Sequence, residues 1–354
     1  MTQRTWAALV AVPLFVALGL YMAVSPLPFV TYAPGLTINV LGDSGGKPII
    51  SVQGHRAYHD DGQLRMTTVS VTQRDAKLDL WTLMYTWGIA RDDAIYPFSV
   101  QYGGSGTQQQ DAQEGQVEMI RSQDSAIASA LRELGYEVHP ALEVLAVTPG
   151  MPSEGKLKPR DVVRRFDGKP VTAATQLAKL IAAVPAGKAV PITVERKGRT
   201  LTRQVTPVDK DGHRLIGVTL GIGYTFPFKV SVNISDVIGG PSAGLMFALS
   251  IYDRLTPGSL TSGGTVAGTG TIDGAGHVGE IGGIQQKIAG AREAGAQLFL
   301  VPPANCPDAM TADHGSMRLA KAATLKDAIS ELEAWGKDHD APLPQCTAAD
   351  RPAA

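Results

Sequence analysis

No Gly-x-x-x-x-Gly-Lys-Ser/Thr phosphate loop occurs anywhere in the 354 residues, which argues against an ATP motor within the chain. The nearest stretch, Ala186-Gly187-Lys188-Ala189, lacks both the first glycine and the hydroxyl residue. Metal-ligand patterns are missing too: there is no His-Glu-x-x-His and no Cys/His grouping with zinc spacing. Neither sign of charge is in excess. Lys and Arg number 32 against 33 Asp and Glu, so nothing electrostatic recommends a nucleic-acid partner. Cysteine is scarce. Cys306 and Cys346 allow one disulfide in an oxidising compartment, or two free thiols. No internal repeat is present, and no metal, nucleotide or other cofactor is implied.

Charge is also missing from Thr5 to Val24, and the first charged residue after Arg4 is Asp43. Such a run is long enough to span a bilayer as a helix. Trp6 and Tyr21 lie near its ends, as interface anchors do. A cleaved signal peptide is the alternative. The run exceeds a typical signal core, however, and Pro26-Leu27-Pro28 makes a poor small-residue cleavage site. The expectation is a single-pass anchor held in the lipid of the cell membrane. Arg4 is its flanking positive side chain, which places the N-terminus in the cytoplasm and the bulk of the chain outside.

Composition is otherwise ordinary, with 44% hydrophobic residues, enough for real cores. The chain is organised around Gly239-Gly240-Pro241-Ser242-Ala243-Gly244-Leu245. Two glycines permit a sharp turn, and Pro241 suits the first position of a helix. Leu245, Leu249, Tyr252 and Leu255 then recur at helical spacing up to Pro257-Gly258. Ser242 is thus expected in a first helical turn, where free N–H groups and the positive dipole end favour an oxyanion. The plainer alternative is a serine that only helps to start a helix.

A base for that serine stands 45 residues on, in Gly282-Gly283-Ile284-Gln285-Gln286-Lys287-Ile288. Residues 284–294 read as a helix in which Ile284, Lys287, Ile288 and Ala291 share one face. Lysine is rarely buried without a task, and desolvation lowers its pKa toward that of a general base. Serine–lysine pairs are a known variant of the serine–histidine–acid arrangement. The competing reading is a lysine that snorkels off the edge of the apolar stripe.

Gly240-Pro241-Ser242-Ala243-Gly244, then Thr269-Gly270, then Gly282 to Lys287, resemble in order and spacing the serine–lysine proteolytic domain of the Lon proteases. The resemblance covers roughly residues 215–335. It implies Ser242 as nucleophile, Lys287 as general base and Thr269 as the residue that holds the lysine by a hydrogen bond. Gly240 and Ala243 are supporting positions, in the backbone whose N–H groups would hold the oxyanion. Gly239 stands where the family usually has an acidic residue, and Gln285 or Gln286 where it usually has a charged one. His277 follows a turn near the site and reads as structural.

Residues 136–208 form a separable unit. Strand-like Leu142 to Val147 leads to Met151-Pro152-Ser153-Glu154-Gly155-Lys156-Leu157-Lys158-Pro159-Arg160-Asp161, then Phe166-Asp167-Gly168, an amphipathic helix and a hairpin across Lys197-Gly198. This resembles a PDZ domain, which implies a peptide end bound by strand addition. Glu133-Leu134-Gly135-Tyr136 is a candidate carboxylate-binding loop, in competition with a helix cap at Gly135.

Elsewhere, 62–71 reads as a strand, 76–90 as a helix, 103–113 as a mobile Gly/Ser/Gln loop and 124–134 as a helix. Thr324 and Asp327 start a last helix. The expected class is α+β, with a PDZ domain inserted in a Lon-type proteolytic domain behind one transmembrane helix. The expected divisions are 1–27 tip and anchor, 28–135 first part of the protease region, 136–208 PDZ, 209–338 proteolytic domain and 339–354 a flexible tail. The whole layout is similar to membrane-anchored, PDZ-containing Lon-like proteases without an ATPase. That implies an ATP-independent serine endopeptidase acting on unfolded or membrane-tethered extracytoplasmic polypeptides, with a hexameric homo-oligomer as the family's habit. The alternative is a non-catalytic PDZ scaffold on a protease fold. A nucleophile-elbow esterase is excluded, because the serine lies in Gly-Pro-Ser-Ala-Gly without an acid and a histidine in order.

Overall fold

The computed structural model describes residues 3–104, 106–210, 212–235, 237–347 and 350. The Arg4 side chain, the tip at 1–2 and positions 348, 349 and 351–354 of the expected tail lie outside the described residues. Along the chain run α1 (Gln3–Val24), β1 (Phe29–Asn39), β2 (Gln63–Val71), α2 (Leu80–Gly88), β3 (Ala94–Pro97) and α3 (Gln108–Glu133). There follow β4 (His139–Val147), β5 (Val162–Phe166), α4 (Ala174–Ala182), β6 (Val190–Arg196), β7 (Arg199–Val205) and β8 (Val218–Thr225). The last third adds α5 (Gly244–Leu255), β9 (Thr265–Gly268), α6 (Ile284–Glu293), β10 (Leu298–Val301), β11 (Arg318–Lys321) and α7 (Leu325–Lys337).

The uncharged run forms α1, whose Thr5–Met22 segment is apolar and unburied. It is long enough to cross a membrane, a property that a signal sequence shares.

One mixed sheet has the strand order β11-β10-β9-β2-β1-β3. The strands from β2 through β9 and β10 to β11 are parallel neighbours, while β1 is antiparallel to both β2 and β3. Helices cover both faces, so its central strands read as apolar runs rather than alternations. Val266, Leu298 and Leu300 turn toward α5, α3 and α7, among Leu245, Leu249, Ile127, Leu131 and Leu332. Ala267, Phe299 and Val301 point the other way, onto Ile284, Ile288 and Ala291 of α6. The period-two alternation within β9 and β10 thus assigns each residue to one of two cores.

The second sheet, β7-β6-β5-β4-β8, encloses its own core of Phe166, Leu177, Ile192 and Val194. Its β6–β7 hairpin turns at Lys197 and Gly198, with φ of 53° and 75°, the positive pair that a two-residue turn of right-handed twist requires. All of its strands fall between β3 and β9, so this unit is inserted within the first. β8, which lies beyond residue 208, adds to the edge of this sheet by pairing with β4.

Two local expectations change. The Gly/Ser/Gln segment is not a loop to residue 113: α3 begins at Gln108, where Thr107 and Gln110 form a reciprocal capping box. Gly135 ends that helix at φ 82°, with the Tyr136 N–H donating to Leu131 O, so Glu133 to Tyr136 is a helix cap and not a carboxylate-binding loop. Beyond α7, Cys346 is disulfide-bonded to Cys306, Leu343 is buried and Lys321 pairs with Asp350. The described part of the expected flexible tail is therefore tied to the domain.

Candidate active site

The site forms at the carboxyl end of β9, where the parallel strands stop and loops take over. Three segments meet there: the glycine loop before α5, the Thr269-Gly270 turn after β9, and α6.

The glycine loop is held from two sides. Gly270 N–H donates to Ser242 O at 2.8 Å, and Leu245 N–H donates to Gly270 O at 3.1 Å. From α3, Gly115 O accepts from Gly240 N–H at 2.9 Å and Ser122 Oγ donates to Pro241 O at 2.9 Å. Gly240 sits at φ 89°, a conformation glycine reaches without strain. At Gly239 a Cβ would meet the Gly115 backbone at 3.2 Å. Any side chain there would need the loop or α3 to give by a few tenths of an ångström, so glycine suits this close approach.

Pro241 does not open the helix. α5 starts at Gly244 with Ala243 as its N-cap, and half-buried Ser242 immediately precedes that cap. The Ser242 and Ala243 N–H groups find no acceptor among the described residues. They lie at the positive end of a long apolar helix, where an oxyanion would be stabilised.

Lys287 is 3% exposed, and the Ile284, Ile288 and Ala291 that share its face are buried with it. Burial brings its pKa down to about 7. Its Nζ donates to Thr269 Oγ1 at 3.1 Å, and Thr269 Oγ1 donates to Ser242 O at 3.0 Å. One fully buried hydroxyl therefore bridges the lysine to the serine's own backbone. No hydrogen bond joins Lys287 Nζ to the Ser242 hydroxyl directly, a contact that often tightens only when substrate is bound.

Ser242 and Lys287 both line a cleft of about 790 Å³, whose walls include Thr67 to Val71 of β2, Gly239 to Ala243, Met119 and Ile281. Gly240 and Ala243 are in its wall, and Thr269 stands behind Lys287. His277 is exposed and bound to Asp273 at 2.8 Å, outside that lining. No group of His, Cys, Asp and Glu among the described residues could hold a metal.

Sequence reading overlooked Gly115 and Ser122. They are seven apart on α3, with Met119 between, and so share the face that backs the loop. Small residues at that spacing are a signal, but the polar first half of the helix hides it.

Residues 116–206 match the PDZ domain model, and residues 237–329 match the model of the Lon protease (S16) C-terminal proteolytic domain. Among solved structures, the PDZ domain of an SdrC-like protein from Listeria innocua aligns at 22% identity, covering 23% of this chain and 92% of that one, with a TM-score of 0.22. Its counterpart from Listeria monocytogenes aligns at 22% identity over 23% and 86%, with a TM-score of 0.21. A protein from Geobacillus thermodenitrificans aligns at 25% over 21% and 84%, with a TM-score of 0.20. No curated protein matches the chain. The chain thus joins a PDZ domain to a Lon-type (S16) proteolytic domain, behind an apolar helix long enough to span a membrane.

Proposed function

We propose that the protein is an ATP-independent serine endopeptidase that uses a Ser242–Lys287 dyad on extracytoplasmic or membrane-tethered polypeptides. The observation that carries this reading is Lys287: buried, facing the cleft with Ser242, and given a neutral hydroxyl rather than a carboxylate as partner. A purely structural lysine would be paired or solvated.

This reading implies the following steps. The neutral Lys287 amine takes the Ser242 Oγ proton as Oγ attacks the scissile carbonyl. The Ser242 and Ala243 N–H groups receive the negative oxygen of the tetrahedral intermediate. The lysine ammonium then gives its proton to the leaving amine, and a water molecule repeats the cycle on the acyl-enzyme. Thr269 keeps the amine oriented throughout. A non-catalytic scaffold would have no use for a desolvated lysine.

Substrate would enter extended. β9 pairs only with residues 63–66 of β2, so 67–71 present an unpaired strand edge along the cleft to which a peptide backbone can add. A second peptide site suggests itself in the PDZ unit, a 370 Å³ groove between Ala174, Ala178 and Ile181 of α4 and Gly217, Val218 and Leu220 at the start of β8. The anchor reading of α1 puts both sites outside the cytoplasm, and the Cys306–Cys346 disulfide suits such a compartment. A hexameric ring remains an expectation from the resemblance, open to light scattering of the purified protein.

The test is hydrolysis of unfolded casein by the purified full chain without nucleotide, beside Ser242→Ala. Wild-type turnover that ATP and magnesium do not change, and its loss in the variant, are expected. Equal turnover in Ser242→Ala would remove the serine mechanism.

A further inference from the structure

α2 presents an apolar face that no described residue covers. Trp81, Met84, Tyr85, Trp87 and Ile89 are 62, 51, 58, 86 and 67% exposed, while Leu83 and Thr86 turn inward. Trp81, Met84, Tyr85 and Ile89 fall at i, i+3, i+4 and i+8, and Trp87 widens the same outward arc. No charged residue occurs between Leu80 and Ala90. A surface helix in water carries polar residues on its outer side, and contiguous exposed apolar patches mark an interaction site.

The position of α2 identifies the occupant. Leu27, three residues beyond α1, donates its N–H to Leu78 O at 2.9 Å, two residues before α2 begins, and α1 and α2 touch. The patch is therefore continuous with the exit of the apolar span. Indole and phenol rings on an uncharged helix at that level are the chemistry of the lipid headgroup zone.

We propose that α2 lies in the headgroup region of the bilayer that α1 enters, as a second membrane contact. It holds the proteolytic cleft against the membrane surface. Tyr32, which lines the cleft, is five residues beyond Leu27, so at about 3.3 Å per strand residue the cleft edge lies within roughly 17 Å of that exit. Polypeptides still attached to the same bilayer can reach it. The proposal rests on the anchor reading of α1 and is independent of the serine–lysine chemistry.

Its test reads lipid contact and not activity. Two full-chain variants are reconstituted in phosphatidylcholine–phosphatidylglycerol vesicles, with or without chain-brominated phosphatidylcholine. Trp6→Phe reports Trp81 and Trp87 over a buried Trp335 background, and Trp81→Ser/Trp87→Ser reports Trp6 over the same background. The first variant is expected to lose about half or more of its emission on bromination and to resist aqueous iodide, because interfacial indoles sit at headgroup level. Strong iodide quenching with no bromine effect would leave α2 in water and overturn the proposal. Resistance to both quenchers would mean that another protein chain covers the face, and would overturn it equally. Bromine quenching of Trp6 alone would keep the anchor and reject the docking; quenching of neither would reject both.

Discussion

Asp161 in the PDZ unit and Lys287 in the proteolytic unit are buried to nearly the same depth, 0% and 3% exposed, yet their surroundings differ. Asp161 receives Arg196 on both carboxylate oxygens, at 2.6 and 2.7 Å, and the Lys158 N–H at 2.9 Å. The Arg196 guanidinium is in turn held above its usual pKa by that carboxylate. Lys287 has the Thr269 hydroxyl and no carboxylate. One buried charge is neutralised and serves the scaffold. The other is left so that it loses its proton near neutral pH. Of these two, Lys287 is the exception to the rule that a buried charge is paired with its opposite, which marks it as a functional-site candidate.

The sharpest way to break this contrast is to remove the exception. Lys287→Met fills the same apolar space without a charge. Peptide hydrolysis is expected to fall by about 10³-fold or more, as losing a catalytic base does. Stability moves the other way. A base whose folded pKa is about 7, against 10.5 for the free side chain, binds fewer protons folded than unfolded between those values. The wild type therefore gains stability as pH rises from 7 toward 10.5. Thermal melts should show the variant more stable by roughly 2–5 kcal/mol below pH 7, the gap closing at high pH.

Applied to Asp161, the same operation has the opposite sign. Asp161→Ala strands the Arg196 guanidinium and should cost about 3–5 kcal/mol in chemical denaturation. Indifference to this change would show that the pair is not structural.

Between these extremes lies Glu143, buried on β4 where the PDZ sheet meets α3. Burial and the neighbouring Asp124 carboxylate push its pKa up to about 8, while Arg160, 2.6 Å from Asp124, opposes the rise. A carboxyl with a raised folded pKa holds its proton longer folded than unfolded, so its contribution is lost as pH climbs from about 4.5 through 8. Glu143→Gln should remove a slope worth about 2–3 kcal/mol between pH 6 and 9. The smallest effect is expected at Thr269→Val, which frees the amine and should lower kcat about tenfold with KM little changed.

Much of this was legible in the residues. Lys287 announces itself because Ile284, Ile288 and Ala291 mark its face as the buried one. Ser242 does so because glycines, proline and an apolar helix surround it. The last helix is written in Thr324 and Asp327, which form the expected capping box. What was hidden came from long-range contact. Gln108 to Gln116 is mostly polar and becomes helical through its Thr107 cap and tertiary packing, so the small-residue spacing of Gly115 and Ser122 that braces the glycine loop was masked. Pro241 has the right chemistry for a helix start, but Gly115 and Ser122 claim the Gly240 N–H and the Pro241 carbonyl, and α5 begins three residues later.

The central claim is that Lys287 is the base because it is buried with a hydroxyl, and no carboxylate, as its partner. The most direct test is kcat/KM for a short peptide against pH, for wild type beside Lys287→Arg. The account predicts a wild-type rise with a single inflection near pH 7, where the buried amine loses its proton, and no measurable turnover in the arginine variant at any pH, since arginine stays protonated. Substantial turnover by Lys287→Arg, or a wild-type profile flat through that range, would contradict it.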